Sequence, residues 1–201
     1  MVVRFGAVLL AGGRASRMGG VDKPGLLVDG VSMRDRAIAA VVSVGASPVV
    51  VVGPEPAASG ASRDAVRWVR EDPPFSGPAA AVVAGLPAEG ADATEWTFLL
   101  ACDLPHPDVA VARLMSGIPA LPPEADGVCL VDGSGRPQWL TGVYRTAALT
   151  GAASALPDGG RDQPVRALLA GLAPTLLDDP DAGAQDVDTW EDYEQLTKEL
   201  P

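Results

Sequence analysis

Apolar residues in this chain come in short runs bounded by glycine, proline and aspartate. Phe5 to Leu10 is uniformly apolar and stops at Gly12 and Gly13, the pattern of a strand buried on both faces that feeds a loop. That loop is expected to continue to about Pro24. Arg34 to Val44 carries Ala37, Ile38, Val41 and Val42 at helical spacing, and Pro48 to Val52 is a β-branched run closed by Gly53 and Pro54. Arg67 to Val69 reads as a short strand, 72–78 as a proline-rich loop, and Ala79 to Leu86 as a helix.

The second half continues the alternation. Trp96 to Ala101 is an apolar run ending at Cys102, Asp103, Leu104 and Pro105, with a helix predicted over Val109 to Met115. Gly127 to Val131 reads as a strand. The turn residues Asp132 to Gly135 then allow Trp139 to Tyr144 to return antiparallel, so the sheet is expected to be mixed. Val165 to Leu172 is a short helix, Thr175 to Leu177 an edge strand, and Thr189 to Leu200 a polar helix preceded by Asp186, Val187 and Asp188. Strands alternating with helices predict one α/β domain over residues 1–201, with a doubly wound, mostly parallel sheet. Ligands of such sheets gather beyond the carboxyl ends of the strands. The glycine loop, the proline loop near Asp72 and the Cys102–Asp103 turn all fall there.

Composition narrows the chemistry. The 15 basic and 26 acidic residues leave a formal charge of −11, which gives no long-range attraction to nucleic acid or an anionic membrane. Any phosphate site must be local, and the dense cationic cluster is Arg14, Arg17 and Lys23. Cys102 and Cys129 sit in no metal-ligand spacing, which fits a reducing cytoplasm. The apolar run from Phe5 to Ala11 is at the minimum for a signal-peptide core and runs into glycines and charge. No stretch approaches a membrane span in length.

The segment LLAGGRASRMGGVDKPGL, Leu9 to Leu26, carries glycines at 12, 13, 19 and 20 that permit close backbone approach to phosphate oxygens. Arg17 and Lys23 add the charge a triphosphate needs. A Walker loop is excluded because Val21 and Asp22 separate Gly20 from Lys23 and Pro24 follows. A dinucleotide fingerprint is excluded because Gly12 and Gly13 are adjacent.

LAGGRASRMGGVDK closely resembles the signature of the molybdenum cofactor guanylyltransferases, members of the pyrophosphorylase-like nucleotidyltransferases with a Rossmann-like fold. DPPFSGPAAAVVAGL, LLACDLPHPD, RPQWLTGVYR and DVDTWEDYEQL resemble further segments of that family, so the likeness spans nearly the whole chain. The resemblance implies that Leu10, Ala11, Gly12, Gly13, Arg17 and Lys23 hold GTP, with Asp72 and Gly77 nearby and Asp103 on Mg²⁺. Arg17, Lys23 and Asp103 would then be the catalytic groups, and Asp188 a candidate second metal ligand where the family commonly has Asn. The implied reaction moves GMP from GTP to the terminal phosphate of molybdopterin or molybdenum cofactor, with proteins that deliver the cofactor as further expected partners. Cytidylyl transfer, transfer to another small phosphorylated acceptor, or nucleotide binding without turnover are the alternatives.

Each residue also has a plainer reading. Asp103 before Leu-Pro can be a turn or helix cap, and Asp188 before Thr189 can be an N-cap. His106 before Pro107, where the family often has a bulky apolar residue, is by default an extended loop residue. Cys102 fits a small buried apolar position.

Overall fold

The apolar run at the head of the chain forms β1, Phe5–Leu10, and its position explains its composition. Strand neighbours lie on both sides and helices on both faces, so no residue of β1 can be polar without facing protein. The computed structural model describes residues 3–13, 18–56, 66–87, 94–180, 183 and 186–198. After β1 come two short strands, β2 (Leu27–Val28) and β3 (Val31–Ser32), then α1 (Met33–Ser43), β4 (Val49–Val52), β5 (Val66–Val69) and α2 (Pro78–Gly85). The second half holds β6 (Trp96–Ala101), α3 (Pro107–Gly117), β7 (Gly127–Val131) and β8 (Pro137–Arg145). It ends with α4 (Thr146–Ala155), α5 (Val165–Leu169), β9 (Pro174–Asp178) and α6 (Trp190–Lys198).

Seven strands form one sheet in the order β5-β4-β1-β6-β8-β7-β9. β1 pairs in parallel with β4 and β6, while β8 runs antiparallel between β6 and β7. The sheet is therefore mixed and mostly parallel, as expected, and β9 is the predicted edge strand, parallel to β7. The two-residue period of a strand divides β1 between two cores. Ala7 and Leu9 pack with Ala37, Ile38 and Val41 of α1 and Ala110, Val111 and Leu114 of α3. Val8 and Leu10 pack with Ala79 and Val82 of α2, Leu149 of α4, and Leu168 and Leu169 of α5.

Three features depart from the sequence reading. The stretch after Tyr144 gives no periodic signal, yet α4 forms there. Its residues are mostly small, and only Thr146 and Leu149 are buried, so the apolar stripe that announces a helix is missing. The stretch after Pro24 contains the β2–β3 hairpin, closed by Asp29 (φ 52°) and Gly30 (φ 76°). That Asp-Gly pair is a hairpin signal the sequence did contain. The helix expected over Val165 to Leu172 stops at Leu169.

The β7–β8 turn forms at Asp132. Its carboxylate accepts hydrogen bonds from the hydroxyl and amide of Ser134 and the amide of Arg136, which hold its pKa down at about 2. At the far end of β7, Gly127 lies against β8 so closely that an added Cβ would sit 2.4 Å from the Val143 carbonyl oxygen and 2.9 Å from Tyr144 Cα. Backbone cannot yield as a side chain does. Gly127→Ala is therefore expected to destabilise the protein by about 1–3 kcal/mol, the range for overpacking, read as a lower urea midpoint with an unchanged slope.

Candidate active site

Because β1, β4, β5 and β6 run parallel, the loops that follow them emerge on one edge of the sheet. They enclose a cleft of about 570 Å³. Its wall includes Leu10, Ala11, Gly12 and Gly13 after β1, Gly53 and Pro54 after β4, Arg70, Glu71 and Phe75 after β5, and Asp103 after β6.

The glycine loop leaves β1 tied to its neighbour. The Ala11 amide donates to the Val52 carbonyl at 2.9 Å. Gly53 lies so close that a Cβ there would stand 2.9 Å from the Ala11 carbonyl carbon. Gly19 and Gly20 take positive φ values of 73° and 79°, which only glycine adopts freely. Gly12 is different. A Cβ at that position would meet only ordinary contacts, 3.7 Å from Val52 O and 3.9 Å from Gly53 Cα. The fold does not require glycine there, and the space it leaves belongs to the cleft. Arg14 and Arg17 lie outside the described residues.

The charged centre is built by three distant segments. Lys23 Nζ donates to Asp103 Oδ2 at 2.7 Å and to Asp188 Oδ1 at 2.9 Å. Its side chain is only 12% exposed, so the charge is held in a partly desolvated setting. Partial burial opposes that charge, but the two carboxylates outweigh it and raise the lysine pKa. Lys23 is thus an ammonium throughout the neutral range. Asp186, not identified from the sequence, completes the group: one carboxylate oxygen each of Asp103, Asp186 and Asp188 lie within 4.8 Å of one another. Desolvation and then the charges of Asp103 and Asp188 push the Asp186 pKa up. Three convergent carboxylates suit a hard divalent cation with oxygen ligands, and the ammonium now among them marks the demand for positive charge.

The plainer readings of both aspartates can be checked directly. Helix α6 is capped by Thr189, whose Oγ1 accepts from the Asp192 amide at 3.1 Å, while the Asp192 carboxylate accepts from the Thr189 and Asp188 amides. This reciprocal capping box leaves the Asp188 side chain directed to Lys23. Asp103 lies in the turn that follows β6, as its plainer reading has it, but it caps no helix: α3 begins after His106, which makes no capping bond. The backbone carbonyl of Asp103 accepts from the Val187 amide at 3.2 Å and ties the C-terminal segment to the end of β6. A small apolar cluster of Val28, Met33 and Val187 supports the same junction.

The proline loop contributes differently from expectation. Asp72 is exposed and lines neither the main cleft nor the smaller hollow of about 300 Å³ beside it. Its neighbour Glu71 lines both, and Gly77 lines the hollow. His106 is half-buried at the start of α3 and is not on the cleft wall. Cys102 is 1% exposed, with its thiol pKa raised by burial, and so is the packing residue its sequence context suggests. No helix among the described residues is long and apolar enough to cross a membrane.

Comparison with known proteins places this arrangement. Residues 7–176 match the model of the MobA-like NTP transferase domain. A "Probable molybdenum cofactor guanylyltransferase" of Synechococcus elongatus is 33% identical over 165 residues, covering 80% of this chain and 81% of that protein. Among solved structures, Rv0371c of Mycobacterium tuberculosis H37Rv superposes with a TM-score of 0.71 at 20% identity, covering 99% of this chain and 100% of that one. A manganese complex of the same protein gives a TM-score of 0.65 at 18% identity, with the same coverage. The 2-C-methyl-D-erythritol 4-phosphate cytidylyltransferase of Francisella tularensis gives 0.69 at 12% identity, covering 98% and 100%. The likeness to these structures lies in the fold. The family model and the Synechococcus relative cover most of the chain, which therefore belongs to the MobA-like NTP transferases, a nucleotidyltransferase family.

Proposed function

We propose that this protein transfers GMP from GTP to the terminal phosphate of molybdopterin, or of the molybdenum cofactor, and releases pyrophosphate. The observation that carries the reading is the cluster of Lys23, Asp103 and Asp188 beside the glycine loop, at the carboxyl ends of parallel strands. The guanylyl donor and the acceptor are supported by the relative at 33% identity.

A terminal phosphate oxygen of the acceptor attacks the α-phosphorus of GTP. The new P–O bond forms as the bond to the oxygen bridging the β-phosphate breaks, and pyrophosphate leaves with that electron pair. A phosphate monoester dianion is already a nucleophile, so no side chain has to take a proton. The work of the chain is alignment and charge compensation. The Ala11 amide is committed to Val52, and the amides of the glycine loop beyond Gly12 are assigned to the phosphates. Lys23, with Arg17, compensates the charge that builds on the leaving pyrophosphate. Leu10, Gly77 and the Glu71 side of the Asp72 loop shape the nucleotide cleft. Mg²⁺ held by Asp103 and Asp188, with Asp186 beside them, would supply a hard positive charge to the phosphate oxygens. The work takes place in the cytoplasm, where proteins that deliver the acceptor would dock.

GTP is expected to be preferred over CTP, because a glycine that the fold does not need at position 12 leaves room for a purine edge against the backbone. The test is pyrophosphate release from four triphosphates with Mg²⁺ and purified molybdopterin. Turnover with CTP equal to or above that with GTP would overturn the guanylyl assignment. Nucleotide binding with no pyrophosphate release for any pair would leave a binding module.

A further inference from the structure

A large aromatic side chain stands half-exposed on the wall of the cleft. Phe75 is 51% exposed, although it lines both the main cleft and the adjoining hollow. Its backbone is left-handed, with φ at 66°. Bulky residues seldom adopt this region, and strain of this kind is retained where the surroundings impose it. Here they do. The Phe75 amide donates to Glu71 Oε1 at 2.9 Å, the Ser76 hydroxyl donates to the Pro73 carbonyl, and the Ser76 carbonyl accepts from the Asp162 amide at 2.7 Å. The Arg70 guanidinium carbon lies 5.3 Å from the Phe75 ring centroid, a cation–π contact that orients the ring. The half-exposed ring leaves apolar surface in water in the free protein, and a ligand that covers it removes that cost.

We propose that Phe75, oriented by Arg70, is the stacking platform for the purine base of the donor nucleotide. The main cleft is continuous. Its wall carries Lys23, Asp103 and Asp188, which suit the phosphates, and also the Phe75 ring with Pro54 and the Arg70 guanidinium; no β8 residue lines it, whereas Leu140 of β8 joins Phe75 and Asp103 on the adjoining hollow. A nucleoside triphosphate has this same division, with a charged tail and a flat ring. Glu71 also lines the cleft, and with its Oε1 held by the Phe75 amide its second carboxylate oxygen is the acceptor offered to the hydrogens on the edge of guanine. The inference deepens the guanylyl reading and rests on it.

The test separates base from phosphate. For Phe75→Leu, GTP affinity by calorimetry is expected to fall about tenfold, in the range of one lost base–aromatic stack. The affinity of inorganic tripolyphosphate with Mg²⁺ should stay as in the parent. In turnover the loss should fall on KM for GTP with kcat little changed, and Phe75→Trp should restore it. Phe75→Asn, which suits a left-handed backbone, should bind GTP weakly yet raise the thermal midpoint of the free protein. Unchanged GTP affinity in Phe75→Leu would overturn the proposal, as would an equal loss for tripolyphosphate. A loss confined to 6-hydroxymethylpterin would overturn the donor assignment in favour of the acceptor ring. Failure of the parent protein to turn over GTP would instead strike the guanylyl reading, so the two failures are distinct.

Discussion

Lys23→Ala is expected to lower pyrophosphate release by on the order of 10²-fold or more, and yet to bind Mn²⁺ without nucleotide about tenfold more tightly. The opposite signs follow from the two situations of one ammonium. In the free protein it sits 2.7 Å from Asp103 and 2.9 Å from Asp188, so a divalent cation that seeks those oxygens must displace it. Removing it leaves carboxylates within 4.8 Å of each other with less positive charge between them, and their mutual repulsion favours the metal. In the proposed reaction the same group faces the triphosphate, and its absence would be felt as lost compensation of charge. Paramagnetic resonance of Mn²⁺ reads the first effect, and coupled pyrophosphate detection the second. Mn²⁺ affinity equal to the parent's would show that lysine and metal do not compete. Arg17→Ala is expected to share the catalytic loss while leaving Mn²⁺ binding unchanged.

Asp103→Asn should reduce turnover on the order of 10²-fold or more, with the deficit persisting across a magnesium titration. Asparagine keeps the shape and can still accept the lysine hydrogen bond, but it lacks the negative charge a hard cation needs. The pair it weakens is partly buried, with side chains 12% and 23% exposed, so the expected stability cost is about 1 kcal/mol, between surface and buried ion pairs. The thermal midpoint should therefore move only a few degrees. Asp188→Asn is the informative contrast. Its side chain is 46% exposed, and the family resemblance tolerates Asn at this position, so a loss of only a few-fold is expected by analogy with a partly solvated charge. Parent-like activity of Asp103→Asn at low magnesium would remove Asp103 as the essential ligand.

The parts legible in the sequence are those whose signal is local. β1, β4 and β6 are apolar runs closed by glycine or aspartate, and burial on both faces leaves them little other composition. Asp103 and Lys23 could be picked out because one follows such a run and the other ends a glycine loop. Asp186 carries no such local mark, since an acid ahead of a polar helix usually does no more than favour the helix start. The bond between the Asp103 carbonyl and the Val187 amide, the Lys23–Asp188 pair and the packing of Val187 on Val28 and Met33 bring it to the cluster, and no spacing in the chain encodes those contacts. The hairpin return of β8 was visible in Asp132 to Gly135, but its insertion between β6 and β7 depends on a register with β6 that is not local. Glu71 faces the cleft where Asp72 was expected, because a neighbouring acid on an irregular loop carries no period to say which side chain points inward. Phe75 looked like part of a proline-rich connector, and only its φ and exposure set it apart.

The bond between Lys23 and Asp188 joins residues 165 positions apart, and this has a consequence for the timing of activity during synthesis. A ribosome adding about 5–20 residues per second needs on the order of ten seconds or more to pass from the lysine to its second carboxylate. Through that interval the glycine loop and the strand before Asp103 can already exist, but the lysine lacks its full anchorage and the cation site lacks its last members. On the proposed mechanism the nascent chain would be a poor catalyst until the segment bearing Asp186 and Asp188 docks against the end of β6. Translation itself would then delay the proposed chemistry until the charged centre is assembled.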